Sequence, residues 1–306
     1  MRLFKQLVSL LLLLSCLNAA LPAQAETQPL VFTDALGYEV TLASHERVAV
    51  LYGSFAETWL LAGGTLCGVT DDAVTERGLT LPGDVQVIGT TKSPNLELIL
   101  SLDPDLVILS ADIAAQVAAA QALEEAGVPC AAFRVDTVQQ YAQMMDAFTQ
   151  MTGRRDLYDA QIPPMLEEID AIIADAKAHE APSVLLLRAY STGVKAKGAD
   201  NLAGVMLHDL GCNNLAERVP SMLEELTLES IVAADPDCIF ISVMGSDEDA
   251  ALAALDASWG QSPAWQALSA VTAGRVYVLP KDLFHYKPNA RWGESYAYLY
   301  RLLFGE

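Results

Sequence analysis

One stretch of this chain is written twice. Residues 97–110 read E-L-I-L-S-L-D-P-D-L-V-I-L-S, and residues 229–242 read E-S-I-V-A-A-D-P-D-C-I-F-I-S. Glu, Ile, Asp, Pro, Asp and Ser recur in register, and most other positions are apolar in both copies. Each copy predicts a short helix that begins near its Glu and feeds a buried strand. The helix stops at Asp-Pro because proline drives the residue before it out of the helical region. One helix–strand unit repeated in two halves of a chain predicts two similar α/β lobes, and two such lobes predict a cleft between them.

The rest of the sequence keeps this alternation. Arg47 to Tyr52 reads R-V-A-V-L-Y and is closed by Gly53-Ser54, which predicts a first buried strand. A helix over about 56–61 ends at Gly63-Gly64. Strands follow at 66–69, 85–88 and 128–135, with an Ala-rich helix over 117–126 stopped by Gly127. Strands spaced by helices predict a parallel sheet covered on both faces. From 137 to 179 the strands stop and helical spacing is continuous, with breaks at Gly153 and at Pro163-Pro164, a pair that suits the first turn of a helix. Past Pro182 the alternation returns, with strands at 184–187, 238–242 and 275–279. Helices are expected near 202–210, 228–234, 265–267 and 295–304. The expected fold is α/β: two Rossmann-like lobes with parallel sheets, joined by a single long linking helix, with the ligand cleft between the lobes. The expected division is a signal peptide (1–25), an N-terminal lobe (26–152), the linking helix (153–180) and a C-terminal lobe (181–306). A rigid link of this kind predicts modest rocking of the lobes rather than wide closure.

A chain of 306 residues with 52% hydrophobic content supplies two cores. Arg2 and Lys5 precede an apolar run, Leu7 to Leu14, and Ala23-Gln24-Ala25 is an A-x-A cleavage site, so export is expected. Leu13-Leu14-Ser15-Cys16 also resembles a lipobox. Two maturation routes stay open: cleavage after Ala25, or a lipid anchor at Cys16. The expected location is the periplasm or the outer face of the cytoplasmic membrane, with membrane contact only through such an anchor. A net charge of −21 repels phosphate backbones and excludes nucleic acid as a partner. Cys67, Cys130, Cys212 and Cys238 form no C-x-x-C and sit among apolar residues, so buried thiols are expected. Disulfides stay open in an exported chain, and spacing alone does not pair them.

Each repeated Glu follows a capping residue by two positions, Asn95 before Glu97 and Thr227 before Glu229. An acid in the first helical turn complements the helix dipole, which explains each Glu singly. It does not explain why both lobes carry one. Equivalent exposed acids also make a two-point docking site for a partner with paired basic residues.

The motif N-L-E-x-I-x-x-L-x-P-D-L-V-I, Asn95 to Ile108 here, resembles the substrate-binding proteins of ABC importers for iron–siderophores, haem and cobalamin. The resemblance runs over nearly all of the mature chain. It implies a monomeric binding protein rather than an enzyme, with no cofactor of its own and an iron chelate, haem or cobalamin as transported ligand. Its partners would be an ABC permease and its ATPase. In that family each lobe offers a Glu to arginine pockets on the permease, and the matching positions are Glu97 and Glu229.

Ligands of parallel sheets lie beyond the C-terminal ends of the strands. That rule selects Tyr52, Ser54 and Glu57 after the first strand, Thr91 and Lys92 before the Asn95 cap, and Ser110. In the second lobe it selects Arg188, Tyr190, Lys195 and Lys197, together with the loop Phe284 to Gly293, which contains His285, Tyr286, Lys287, Arg291 and Trp292. Of these, Tyr52, Ser54, Lys92, Arg188, Tyr190, Tyr286, Lys287, Arg291 and Trp292 are the expected ligand-binding set. Rings beside Lys and Arg suit a bulky, flat or anionic ligand. Lys92, Arg188 and Arg291 favour an anionic iron chelate. Lys195 and Lys197 serve equally well as solvated surface; His285 could touch a metal or haem, but a lone loop histidine is more often simply solvated. Two other functions compete. An α/β enzyme would need a motif such as G-x-G-x-x-G, a Walker loop, G-x-S-x-G or H-E-x-x-H, and none is present. A receptor for a free transition-metal ion would need converging His and carboxylates, whereas the chain holds only His45, His179, His208 and His285.

Overall fold

The structure, a computed structural model, describes residues 30–42, 45–245 and 247–305. The expected signal peptide and the Cys16 anchor site lie outside the described residues. A hairpin of β1 (Leu30–Thr33) and β2 (Glu39–Leu42) opens the described chain and buries Val40 and Leu42. The first lobe is a five-stranded parallel sheet of β3 (Val48–Val50), β4 (Leu66–Val69), β5 (Gln86–Val87), β8 (Leu106–Ser110) and β9 (Cys130–Phe133), in the order β5-β4-β3-β8-β9. A small hairpin, β6 (Gly89–Thr90) with β7 (Ser93–Pro94), lies beside it. Helices α1 (Gly53–Leu61), α2 (Leu96–Ser101) and α3 (Ala114–Glu125) belong to this lobe.

The second lobe has β10 (Ser183–Tyr190), β11 (Gly193–Lys197), β13 (Cys238–Val243) and β14 (Val276–Val278) in the order β11-β10-β13-β14, with β12 (Asn213–Asn214) also on β10. Between the sheets run α4 (Val138–Thr152), which ends at a left-handed Gly153 (φ 67°), and α5 (Arg155–Ala176). The chain closes with α6 (Leu228–Ala234), β14 and α7 (Trp292–Phe304).

The repeated unit is the same joint in both lobes. Its first Asp takes a left-handed conformation, Asp103 at φ 47° and Asp235 at φ 40°, which turns the chain out of its helix. Its second Asp fastens the start of the neighbouring strand. Asp105 Oδ2 accepts from the amides of Glu46 and Arg47, both at 3.0 Å, just before β3. Asp237 Oδ2 accepts from the Ser183 amide at 2.9 Å and its hydroxyl at 2.6 Å, at the head of β10. The strands that follow, β8 and β13, are buried at every residue, as expected for parallel strands covered on both faces.

The hydrophobic core does not stop at the lobe boundary. One cluster runs from Val48, Val50 and Phe55 through Ile162, Met165 and Ile169 of α5 to Leu186, Trp292, Tyr296 and Leu299. Rings order its first-lobe part: Trp59 meets Phe148 edge-on at 5.2 Å, and Phe148 meets Phe133 at 5.0 Å. Edge-to-face pairs of this kind each add roughly 0.5–1.5 kcal/mol beyond burial.

Three local expectations are corrected. Pro163 and Pro164 do not start a helix; they lie inside α5. Their missing donors free the carbonyls of Asp159 and Ala160, and all four residues lie on the exposed face of the helix, where solvent can reach them. Buried Ile162, Met165 and Ile169 hold the helix through this point. Lys195 and Lys197 lie not in a loop but on β11, which returns antiparallel to β10 after a tight turn at Ser191-Thr192. The second sheet thus carries one antiparallel edge on its parallel strands. The β1–β2 hairpin has no counterpart among the elements expected from sequence; Asp34 shapes its turn by accepting from the Leu36 and Tyr38 amides, both at 2.9 Å.

Candidate ligand cleft and docking surface

On the first lobe, the cleft side is built where β3 and β4 end. Tyr52 follows β3, and the next amide, Gly53 N, donates to Asp72 Oδ2 at 2.7 Å. Thr70 donates to the other Asp72 oxygen at 2.6 Å. Gly53 must be glycine: a Cβ there would lie 2.6 Å from the Ala73 nitrogen. Burial raises the Asp72 carboxyl above its usual range, and burial with the nearby Asp72 charge pushes Tyr52 up to about 12. Glu76 is likewise raised, by partial burial and by Asp72.

From the second lobe, the segment after β14 crosses to meet this surface. Lys287 Nζ reaches Asp136 of the first lobe at 2.8 Å, and its carbonyl accepts from Arg77 at 3.1 Å. Asn289, fully buried and left-handed (φ 54°), donates to the Ser54 carbonyl at 2.9 Å and to Glu57 at 2.7 Å. Glu57 is also paired with Arg77. His285 packs beside Tyr286 with ring centroids 5.0 Å apart. Burial, then the charges of Arg188, Lys281 and Lys287, lower His285 to about 4, so it is neutral at physiological pH. Tyr286 is raised by burial and by Glu76 and Asp72 of the first lobe. Basic and aromatic groups of one lobe therefore face tyrosine and carboxylates of the other. Arg188 is half-buried and makes no ion pair among the described residues.

Tyr52 and Tyr286 both lie near Asp72, Glu76 and Arg77, and Arg188 and Lys287 lie near His285; Tyr190 ends β10 half-buried, and Lys92 stands exposed on the β6–β7 turn. Three expected residues lie elsewhere. Ser54 is 1% exposed, beneath the Asn289 contact. Trp292 is 0% exposed, a core residue of α7. Arg291 is held by Asp282 at 2.5 Å and by Glu294 at 2.7 Å, which pushes its pKa upward and neutralises its charge. The segment 284–293 does not act as one ligand-facing loop, because Asn289 plugs into the first lobe and splits it. Ser110 is buried, with its amide donating to Gln116. Sequence reasoning missed Asp72, Glu76, Arg77 and Lys281. The signal available for the first three was T-D-D after β4, which ends beside β3 and so opens on the same edge.

The two Glu residues of the repeat are exposed on equivalent helices. Asn95 accepts from the Leu98 amide at 3.1 Å, and Thr227 from the Ser230 amide at 3.2 Å. Neither Glu97 nor Glu229 makes an ion pair among the described residues.

Among the described residues no group of three His, Cys, Asp or Glu is arranged to hold a metal ion, and Cys67, Cys130, Cys212 and Cys238 are free thiols. A concavity of about 480 Å³ lies on the flank of the first lobe, between β1 and α4. It gathers no second-lobe residue, whereas the cleft draws side chains from both lobes, so the candidate site is placed at the cleft.

Two α/β lobes on one continuous core, with aromatic and basic side chains meeting between them, define a bilobal binding protein. The periplasmic binding protein model matches residues 48–283, and the chain belongs to that family, which is one of binding proteins and not of enzymes. The chain is 29% identical over 259 residues to the Fe(3+)-citrate-binding protein YfmC of Bacillus subtilis, covering 82% of this chain and 78% of that one. It is 27% identical over 235 residues to a cobalamin-binding protein of Halobacterium salinarum, covering 74% of this chain and 62% of that one. Staphylococcus aureus SirA, solved with staphyloferrin B, has the same fold at a TM-score of 0.67 and 19% identity, covering 90% of this chain and 98% of that one.

Proposed function

We propose that this chain is the extracytoplasmic substrate-binding protein of an ABC importer. It captures an iron-siderophore, haem or cobalamin-type ligand between its lobes and delivers it to the permease, with Glu97 and Glu229 as the docking pair. The observation that carries the reading is Arg188: a half-buried guanidinium with no ion pair among the described residues, beside a neutral His285, on a chain of net charge −21. An unpaired arginine in such a place suits an anionic group of a ligand. Tyr52, Tyr190 and Tyr286 complete the ligand-facing set, with Lys92 at the rim, while Lys287 is taken up by Asp136 at 2.8 Å and serves as a tie between the lobes. Among the ligand classes an anionic ferric chelate fits best, and the ferric-citrate relative points the same way. The iron is cargo. For the free-ion alternative, the described residues supply no group of three His, Cys, Asp or Glu arranged around one ion.

Native mass spectrometry of the purified chain after incubation with ferric citrate, a ferric siderophore, haemin or cyanocobalamin tests this. One chelate or macrocycle per chain is expected. Retention of none of them, with uptake of bare zinc or manganese instead, would overturn the reading.

A further inference from the structure

The repeated unit carries one feature that its architecture does not use. Two residues past each Glu stands a core isoleucine, and Ile99 and Ile231 are both fully buried. Three residues past each Glu the opposite holds: Leu100 is 42% exposed and Val232 is 39% exposed. Neither belongs to a hydrophobic cluster of the fold. A spacing of three on a helix places two side chains on one face, so Leu100 neighbours Glu97 and Val232 neighbours Glu229. Beside Glu229 the surface is also concave, about 400 Å³, and is lined by Leu228, Val232, Ala233, Ser262 and Ala264. A single exposed Leu or Val is ordinary. An exposed apolar residue at the same position of a duplicated unit, next to a carboxylate with no ion pair among the described residues in both lobes, is a repeated surface pattern that folding does not require.

We propose that Leu100 and Val232 are docking residues. With Glu97 and Glu229 they form two equivalent patches, each a carboxylate with an apolar contact one helical turn away. The occupant is a permease whose two halves each present a basic residue beside an apolar seat; this rests on the reading that Glu97 and Glu229 face the permease. Charge selects that chemistry, since a second copy of this acidic chain would set carboxylate against carboxylate. The apolar contact gives each carboxylate–cation pair a dry rim, where the pair is worth more than in water.

The test uses proteoliposomes holding the ABC permease and ATPase that import ferric chelate with the wild-type chain, and reads ATPase stimulation against binding-protein concentration. Leu100→Asn and Val232→Asn should each raise the half-saturating concentration several-fold, and the double variant more, with ligand affinity and thermal midpoint unchanged. The milder pair Leu100→Ala/Val232→Ala should move it in the same direction. Leu60→Asn, an equally exposed position on α1, should have no effect. If the double Asn variant stimulates like the wild type while Glu97→Lys/Glu229→Lys does not, the carboxylates dock alone and this proposal fails with the functional reading intact. If the double Lys variant also stimulates like the wild type, the docking reading fails and takes the proposal with it. An equal loss in Leu60→Asn would show a non-specific surface effect and would likewise overturn the proposal.

Discussion

The Asn289 carboxamide lies 2.7 Å from the Glu57 carboxylate, and this bond ties the segment after β14 to the first helix of the opposite lobe. The same nitrogen donates to the Ser54 carbonyl at 2.9 Å, while Arg77 holds Glu57 from the other side. Asn289 also stands at φ 54°, a conformation that asparagine tolerates better than most residues. Asn289→Ala removes both bonds and adds backbone strain. It should lower unfolding stability by roughly 2–4 kcal/mol, the sum expected for stranded buried partners and a strained backbone. Asn289→Gly relieves the strain alone and should recover part of the loss. Urea denaturation of the three proteins measures both effects.

His285 sets an acid limit on stability. Its folded-state pKa of about 4 lies below the ordinary 6.5, so as pH falls through that window the unfolded chain takes up a proton that the folded one refuses. Its contribution to stability is whole above about 6.5, declines on acidification and stops declining below about 4. Asp72 and Glu76, with raised pKa values, act in the opposite sense, but they are shared by the wild type and a His285→Asn variant. Urea midpoints at pH 7 and pH 5 should therefore fall further in the wild type than in His285→Asn.

Arg188 and Arg291 have the same chemistry in different company. Arg291 is neutralised by Asp282 and Glu294, while Arg188 has no ion pair among the described residues. Arg188→Gln should weaken binding of an anionic ferric chelate about tenfold or more, in line with ~1.5–3 kcal/mol for a hydrogen bond to a charged group. Arg291→Gln should leave affinity unchanged. Isothermal titration of both variants with one chelate separates the two roles.

The continuous core limits how far the lobes swing apart. Trp292, Tyr296 and Leu299 share one cluster with Ile162, Met165 and Ile169 of α5, so wide hinge opening would expose buried rings. Ligand binding should produce small rocking with a radius of gyration unchanged within error, as measured by small-angle X-ray scattering.

Much of this fold was legible because parallel strands announce themselves as apolar runs and because the Asp-Pro joint was printed twice. The repeat even placed Glu97 and Glu229 correctly on capped helices. What sequence did not reveal depends on contacts distant along the chain. Lys195 looks like a loop residue until β11 folds back on β10. Arg291 looks available until Asp282 and Glu294 close on it, and Trp292 looks like a stacking ring until α7 turns it inward. Pro163-Pro164 reads as a helix start, since local propensity does not include the burial of Ile162 and Met165 that carries α5 through them. Asp72 went unnoticed because its importance comes from β4 lying beside β3, which no local pattern records.

The most direct test is a fluorescence titration of the purified chain with ferric citrate, a ferric siderophore, haemin, cyanocobalamin and zinc, run beside Arg188→Gln. Saturable one-to-one binding of an anionic ferric chelate, weakened in Arg188→Gln and absent for zinc, is expected. Binding of zinc alone, or chelate binding that Arg188→Gln leaves untouched, would contradict a cleft built between the lobes around that arginine.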